Sequence, residues 1–447
     1  MSVKKVGNIN RSTKSFCNED KRAPEHQAWD QAVEQVEHYL RAPAKLGDQW
    51  ELADGGTAPR HQRWLVWGVF RHWLRFNDLL DRRLRKAPRP RIRAMLLVAL
   101  AELELADPER EAQAIHFAVE KAKRLSKGEA RLVNAVLRGI LRDAAPRADL
   151  AWRTSHPDWL VARWQQAYGE AAVARLLEWN QRPADHFLHW LDPVEPDLQE
   201  GLEATEWNGF WRITESGWDS ALKAVQSGRA CIQDPATRHP VGLAGIQPGE
   251  SVIDLCAAPG GKTLCQVWAL RGEGELLAVD LPGKRLERLR TNLRAVRAHF
   301  SKLALVVCGL DILDPEDAES LSRSHFDAKP GADARCFDVV VLDAPCSNTG
   351  VIRRKPDVRV RLEPADFERL PKLQLALLLR AADCLRAGGR LVYSTCSIDT
   401  DENRGVVDAF LRERVDFELK AERLSFPWQD GHDGGAAFLL THKDLTS

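Results

Sequence analysis

Two cysteines stand where apolar runs end: Cys346 in "DVVVLDAPCSNTG" and Cys396 in "LVYSTCSI". A thiol packed inside a core behaves as a small inert hydrophobe, whereas one beside charged groups at a strand end can ionise and attack. Asp343 closes the first run three positions before Cys346. Pro345 cannot continue a hydrogen-bonded ladder, so the chain must leave the sheet there and Cys346 falls in a loop. Thr395 and Cys396 end the next β-rich run. In a parallel sheet, neighbouring strand ends share one mouth, which would bring both thiols and Asp343 together.

A second stretch, "SVIDLCAAPGGKT", reads as a strand, a loop of small residues and a helix start. Ala257, Ala258, Gly260 and Gly261 let a ligand approach the backbone closely. Three ligands compete for it. Gly261-Lys262-Thr263 matches the end of a phosphate-binding P-loop, but Cys256 occupies the place of that motif's first glycine. A dinucleotide site needs a G-x-G-x-x-G pattern, which is absent. An S-adenosylmethionine loop needs only small residues under the amino-acid part of the donor. Asp280 ends the following β-rich run, where an acidic residue can accept from ribose hydroxyls or cap a helix. Asp311, in "CGLDIL", ends the third and is a weaker candidate for the adenine side.

These positions require a sheet. After residue 230, β-rich runs ("SVIDL", "ELLAVD", "LALVVC", "DVVVLDA", "GRLVYST") alternate with helical stretches, the rhythm of a doubly wound α/β fold. Upstream, residues 25–148 carry apolar residues at three- and four-residue spacing and predict an all-α domain. Residues 149–228 read as a small mixed segment, opening with a helix expected to start at Ser155, and residues 229–447 as the catalytic domain. Thirteen of the 15 Trp precede residue 220, which supports a boundary there. Residues 1–24 are polar and expected to be a disordered tail without a secretory signal.

The 447 residues balance 64 Lys+Arg against 64 Asp+Glu, so net charge says nothing of partners. Its distribution is uneven: Arg60–Arg93 holds eleven Lys/Arg against Asp78 and Asp81, a candidate nucleic-acid face or a solvated helical surface. Nine cysteines without a CxxC pair predict neither a metal site nor a disulfide framework, and fit reduced thiols in a cytoplasmic protein. The most apolar helix, "AMLLVALAELELA", is too short and too acidic to span a membrane.

"DLCAAPGGKT", "LLAVD", "LDAPCSNTGVIRRKPD" and "LVYSTCSI" together resemble the motifs of the Nol/Nop/Sun family of RNA cytosine-C5 methyltransferases. The helical part, with "RLVNAVLRGILR" and "SHPDWLVARW", resembles the NusB-like extension of the bacterial Sun/Fmu/RsmB branch. The resemblance implies a Rossmann-like class I methyltransferase domain behind an all-α NusB-like domain and a small mixed linker domain. It implies S-adenosylmethionine as cofactor, held by Cys256, Ala257, Ala258, Pro259, Gly260, Gly261, Lys262, Asp280, Asp311 and Asp343. It further implies a 16S ribosomal RNA substrate, free or in an assembling small subunit, with no metal and no membrane. By the same resemblance Cys396 would attack carbon 6 of the cytosine, Cys346 would assist release, and Asp343 would hydrogen-bond the base near N3/N4 and act as the acid. Such chemistry needs the base drawn out of any stack. The basic loop after Cys346, with Arg353, Arg354 and Lys355, is expected to hold RNA phosphates. Two segments depart from the family pattern: "HFLHWLD" with the stretch that follows it, and "CGLDIL", where Asp311 substitutes for the usual Gly-Asp pair.

Overall fold

A computed structural model describes residues 23–46, 60–105, 111–143, 149–193, 201–321 and 337–443. The tail expected over 1–24 lies outside them, save Ala23 and Pro24, which begin the first helix. The chain divides into two compact units at Ser155/His156.

The first unit is all helix, with helices Ala23–Arg41, Arg60–Arg71, Trp73–Asp81, Pro90–Leu105, Glu111–Lys123 and Lys127–Arg142 and a short turn Leu150–Arg153. Helix Pro90–Leu105 is its axis. Leu96, Leu97, Val98 and Ala99 are consecutive and all fully buried, which a helix shows only when neighbours cover every face. Pro90 suits its first position because no intrahelical donor is lost there. Glu102, which interrupts the apolar run, accepts from the Trp29 indole N–H at 3.1 Å. Ser126 starts helix Lys127–Arg142 by accepting from the Glu129 amide at 3.1 Å.

The second unit begins with helices Asp158–Tyr168 and Glu170–Trp179. The expected start at Ser155 is wrong. Pro157 occupies the cap position, and the Ser155 hydroxyl instead accepts from Leu74 and Arg75 N–H at 2.9 and 3.2 Å, capping helix Trp73–Asp81 of the first unit. Four short strands, β1 (Phe187–Trp190), β2 (Leu202–Ala204), β3 (Phe210–Ile213) and β4 (Ala230–Ile232), make an antiparallel sheet in the order β2-β3-β1-β4.

A seven-stranded sheet follows, from β5 (Ser251–Leu255), β6 (Glu275–Asp280), β7 (Ala304–Gly309), β8 (Phe337–Asp343), β9 (Leu385–Thr395), β10 (Phe417–Ser425) and β11 (Gly435–His442). The order is β10-β11-β9-β8-β5-β6-β7, with β9 through β7 parallel and β10 and β11 antiparallel. Val339 to Leu342 are fully buried because helices cover both faces of a central parallel strand, so the run is continuously apolar rather than alternating. The chain builds outward from β5 to β7 and then crosses back to β8. The switch point therefore lies between β5 and β8, where such sheets bind ligands beyond the strand ends. Among the described residues, no helix is long and apolar enough to cross a membrane.

Candidate active site

The loop after β5, Asp343 at the end of β8 and Cys396 after β9 all meet at this switch point. Cys346 and Cys396 sulfurs stand 3.3 Å apart, both half-buried. Lys262 donates to Asp343 at 2.7 Å, and the Ser394 hydroxyl donates to its other oxygen at 3.0 Å. Lys262, Asp343, Ser394, Thr395 and Cys396 line one cavity together with Asp433 to Ala436.

The sulfurs are electrically unlike. The Cys346 thiol donates to Cys396, which holds Cys396 below its ordinary value against the opposing effect of burial; the Lys355 and Lys262 cations add to the effect. The same contact, with burial, pushes Cys346 well up. Burial also pushes Cys256 up to about 12, which leaves that thiol inert. Lys262 is half-buried, which alone would lower it, but Asp343 outweighs that and keeps it charged.

The loop 256–261 is built on backbone geometry. Cys256 lies at φ 60° and Gly260 at φ 104°, and a Cβ on Gly260 would sit 2.7 Å from Leu289 Cδ1. Asp280 accepts from the Ala258 and Leu281 amides at 2.8 and 2.9 Å, so its carboxylate shapes the loop from beneath. Arg285 donates to the Ala258 carbonyl and the Asn292 amide to that of Pro259, both from the helix Lys284–Asn292. Ala257, Ala258, Gly260 and Gly261 carry at most a methyl group. The loop thus fits a ligand that must lie against the main chain, with Asp280 as acceptor.

Two expected contacts fall elsewhere. Arg353 is buried and donates to the Pro183 carbonyl and Asp185. Arg354 is held between Asp234 and Asp433 at 2.5 Å each. Both guanidiniums are consumed inside the protein, because carboxylates distant in sequence fold against them, and neither is presented to phosphates. Lys355 is exposed and donates to the Asn348 side-chain oxygen at 3.0 Å, an oxygen that also lies 3.4 Å from Cys396 Sγ. Asp311 is an exposed turn residue, accepting from the Leu313 amide at 3.0 Å.

Sequence reasoning missed Glu402. Fully buried, it accepts from the Ser347 amide and hydroxyl, the Ser397 hydroxyl at 2.7 Å and Gln374 at 2.9 Å. Ser347 and Ser397 directly follow the two cysteines, so one carboxylate ties both thiol-bearing loops together. The available signal was a lone acid, "IDTDEN", six residues after Cys396, with no pattern to set it apart from its acidic neighbours.

Residues 243–440 match the family model described as 16S rRNA methyltransferase RsmB/F, and residues 31–142 match the NusB family. The probable ribosomal RNA small subunit methyltransferase B of Bacillus subtilis is 31% identical over 376 residues, covering 79% of this chain and 80% of its own. The ribosomal RNA small subunit methyltransferase B of Salmonella arizonae is 31% identical over 414 residues, covering 88% and 90%. Among solved structures, PH0851 superposes with a TM-score of 0.73 at 21% identity over 93% of this chain and 98% of its own. NSun6 from Pyrococcus horikoshii with SFG superposes with a TM-score of 0.52 at 17% identity, covering 64% and 99%. These two likenesses concern the fold.

Proposed function

Because the chain belongs to the ribosomal RNA small subunit methyltransferase B family, we propose that it methylates carbon 5 of a cytosine in 16S ribosomal RNA. The observation that carries the reading is the pair of sulfurs 3.3 Å apart beside the Lys262–Asp343 ion pair, at the switch point of the sheet. S-adenosylmethionine, when bound against residues 256–262 and Asp280, supplies an electrophilic methyl group.

Carbon 5 of cytosine is a weak nucleophile. Cys396, kept ionisable by the Cys346 thiol and two lysines, adds to carbon 6, while Asp343 binds the base edge and a proton reaches N3. Carbon 5 then has enamine character and takes the methyl group. Loss of the carbon 5 proton and of the Cys396 sulfur restores the ring, with Cys346 assisting that release. Lys262 keeps Asp343 in place and compensates its charge. The same lysine weakens the P-loop alternative, since its ammonium is engaged by a carboxylate rather than directed at a phosphate site.

The test is methyl transfer from labelled donor to small-subunit ribosomal RNA, offered both free and as a particle, with bisulfite sequencing to place the product. Cys396→Ala is expected to abolish transfer, and Cys346→Ala to accumulate a covalent protein–RNA adduct. Retained turnover in Cys396→Ala overturns the assignment of the nucleophile. A wild-type protein that binds RNA but no donor by calorimetry would support a non-catalytic assembly factor instead.

A further inference from the structure

His189 on β1, Cys231 on β4 and Cys265 on the helix Gly261–Ala269 come from three separate parts of the sequence, so no ligand spacing announces them. Their ligand atoms nevertheless all lie within 4.8 Å of one another. His189 stands directly opposite Cys231 in the β1–β4 ladder, and its ring stacks on Phe210 with centroids 4.0 Å apart. That stacking sets the imidazole plane. Both thiols are buried, and Cys265 Sγ lies 3.7 Å from His189 Nδ1. A tetrahedral zinc centre, with bonds of about 2.3 Å to sulfur and 2.0 Å to nitrogen, has ligand-to-ligand edges of roughly 3.5–3.8 Å. The measured edge is of that size.

A fourth group is at hand. The Gln233 side-chain amide contacts both His189 Nδ1 and Cys265 Sγ, the latter at 3.1 Å. Turned about its last bond, that amide presents its oxygen at the same point. Charge favours a divalent ion: two thiolates and a neutral imidazole balance it to zero, the condition a buried site requires. Binding releases the two thiol protons to solvent.

We propose that His189, Cys231 and Cys265 form a binding site for a thiophilic divalent cation of the zinc class, with Gln233 or water in the fourth position. The ion would fasten β1 and β4 of the small sheet to the helix that begins at Gly261. The expectation from cysteine spacing, that the chain holds no metal, would then fail because the ligands are assembled by tertiary structure alone.

The full-length protein, reduced and stripped of metal, is titrated with cobalt(II). Expected are thiolate-to-cobalt charge transfer and the intense visible bands of a tetrahedral site, saturating at one equivalent and displaced by zinc. The Cys346→Ala/Cys396→Ala double variant, which lacks the other close thiol pair, keeps the spectrum. Cys231→Ser and Cys265→Ser lose it. His189→Ala, at the half-buried side of the cluster, keeps the charge-transfer band but weakens binding. Absence of tetrahedral bands in the reduced wild type overturns the proposal, as does their loss in the double variant or their survival in Cys231→Ser.

Discussion

At the scale of single residues, the decisive quantity is how readily Cys396 ionises. Its thiolate is favoured by the Cys346 thiol first and by the cations of Lys355 and Lys262 against burial. Removing a nearby positive charge disfavours the thiolate and raises the pKa, so less of the sulfur is reactive at a given pH. Lys355→Met is therefore expected to move the pH profile of Cys396 alkylation by iodoacetamide to higher pH. Peptide mapping of the labelled site, without RNA, checks it, and an unmoved profile removes Lys355 from the electrostatics. Cys346, Cys396 and Asp343 were legible in the sequence because each ends an apolar run, and strand ends in parallel sheets converge. Arg353 and Arg354 were misread for a complementary reason. A basic loop looks solvated until the carboxylates that meet it, Asp185, Asp234 and Asp433, are brought from elsewhere in the chain.

Secondary-structure elements fix how rigidly those residues are held. Glu402→Ala would orphan the buried Ser347 amide, at a cost of about 1–3 kcal/mol, strip the Ser347 and Ser397 hydroxyls of their shared carboxylate, and let the two thiol loops drift apart. Turnover is expected to fall about 100-fold while donor affinity measured by calorimetry is kept. Asp254, fully buried at the end of β5, gives a pH prediction. Burial pushes its carboxyl from the ordinary 3.8 up to about 7, against a hydrogen bond from the Thr263 hydroxyl at 2.6 Å. The folded state therefore holds this proton more tightly than the unfolded chain. The penalty is absent below the unfolded pKa, grows as pH rises towards 7, and stays constant above it. Denaturant unfolding of Asp254→Asn should match the wild type near pH 4 and exceed it by up to about 4 kcal/mol at pH 8. The five parallel strands were readable from their apolar runs, although β9 extends back to Leu385 through the glycine-containing "RAGG"; β10, β11 and the four short strands of the small sheet form no part of that pattern. The sheet order was not readable, since it depends on crossover connections rather than local pattern.

For the whole molecule, charge counted along the chain differs from charge presented by the fold. Within Arg60–Arg93, six arginines pair with acids: Arg75 with Glu104, Arg82 with Asp78, Arg83 with Asp143, Arg89 with Glu129, Arg91 with Glu37 and Arg93 with Asp81. Four of those acids lie outside the stretch, so four of its nine excess charges are cancelled within the helical unit. Arg354 makes the same point about stability. Arg354→Ala leaves Asp234 and Asp433 buried without their cation and should cost about 3–5 kcal/mol, read from denaturant unfolding. The salt dependence of RNA binding should stay that of the wild type, because Arg354 faces the interior.

Ser155 finishes the first turn of a helix that begins at Trp73. During synthesis that helix leaves the ribosome long before the hydroxyl that completes it, and chains generally mature from the N-terminus onward as segments emerge. The helical unit is thus sealed by its own final residue. Its last contact can form only once translation has reached the border of the catalytic half, so the order of emergence is written into a single cap.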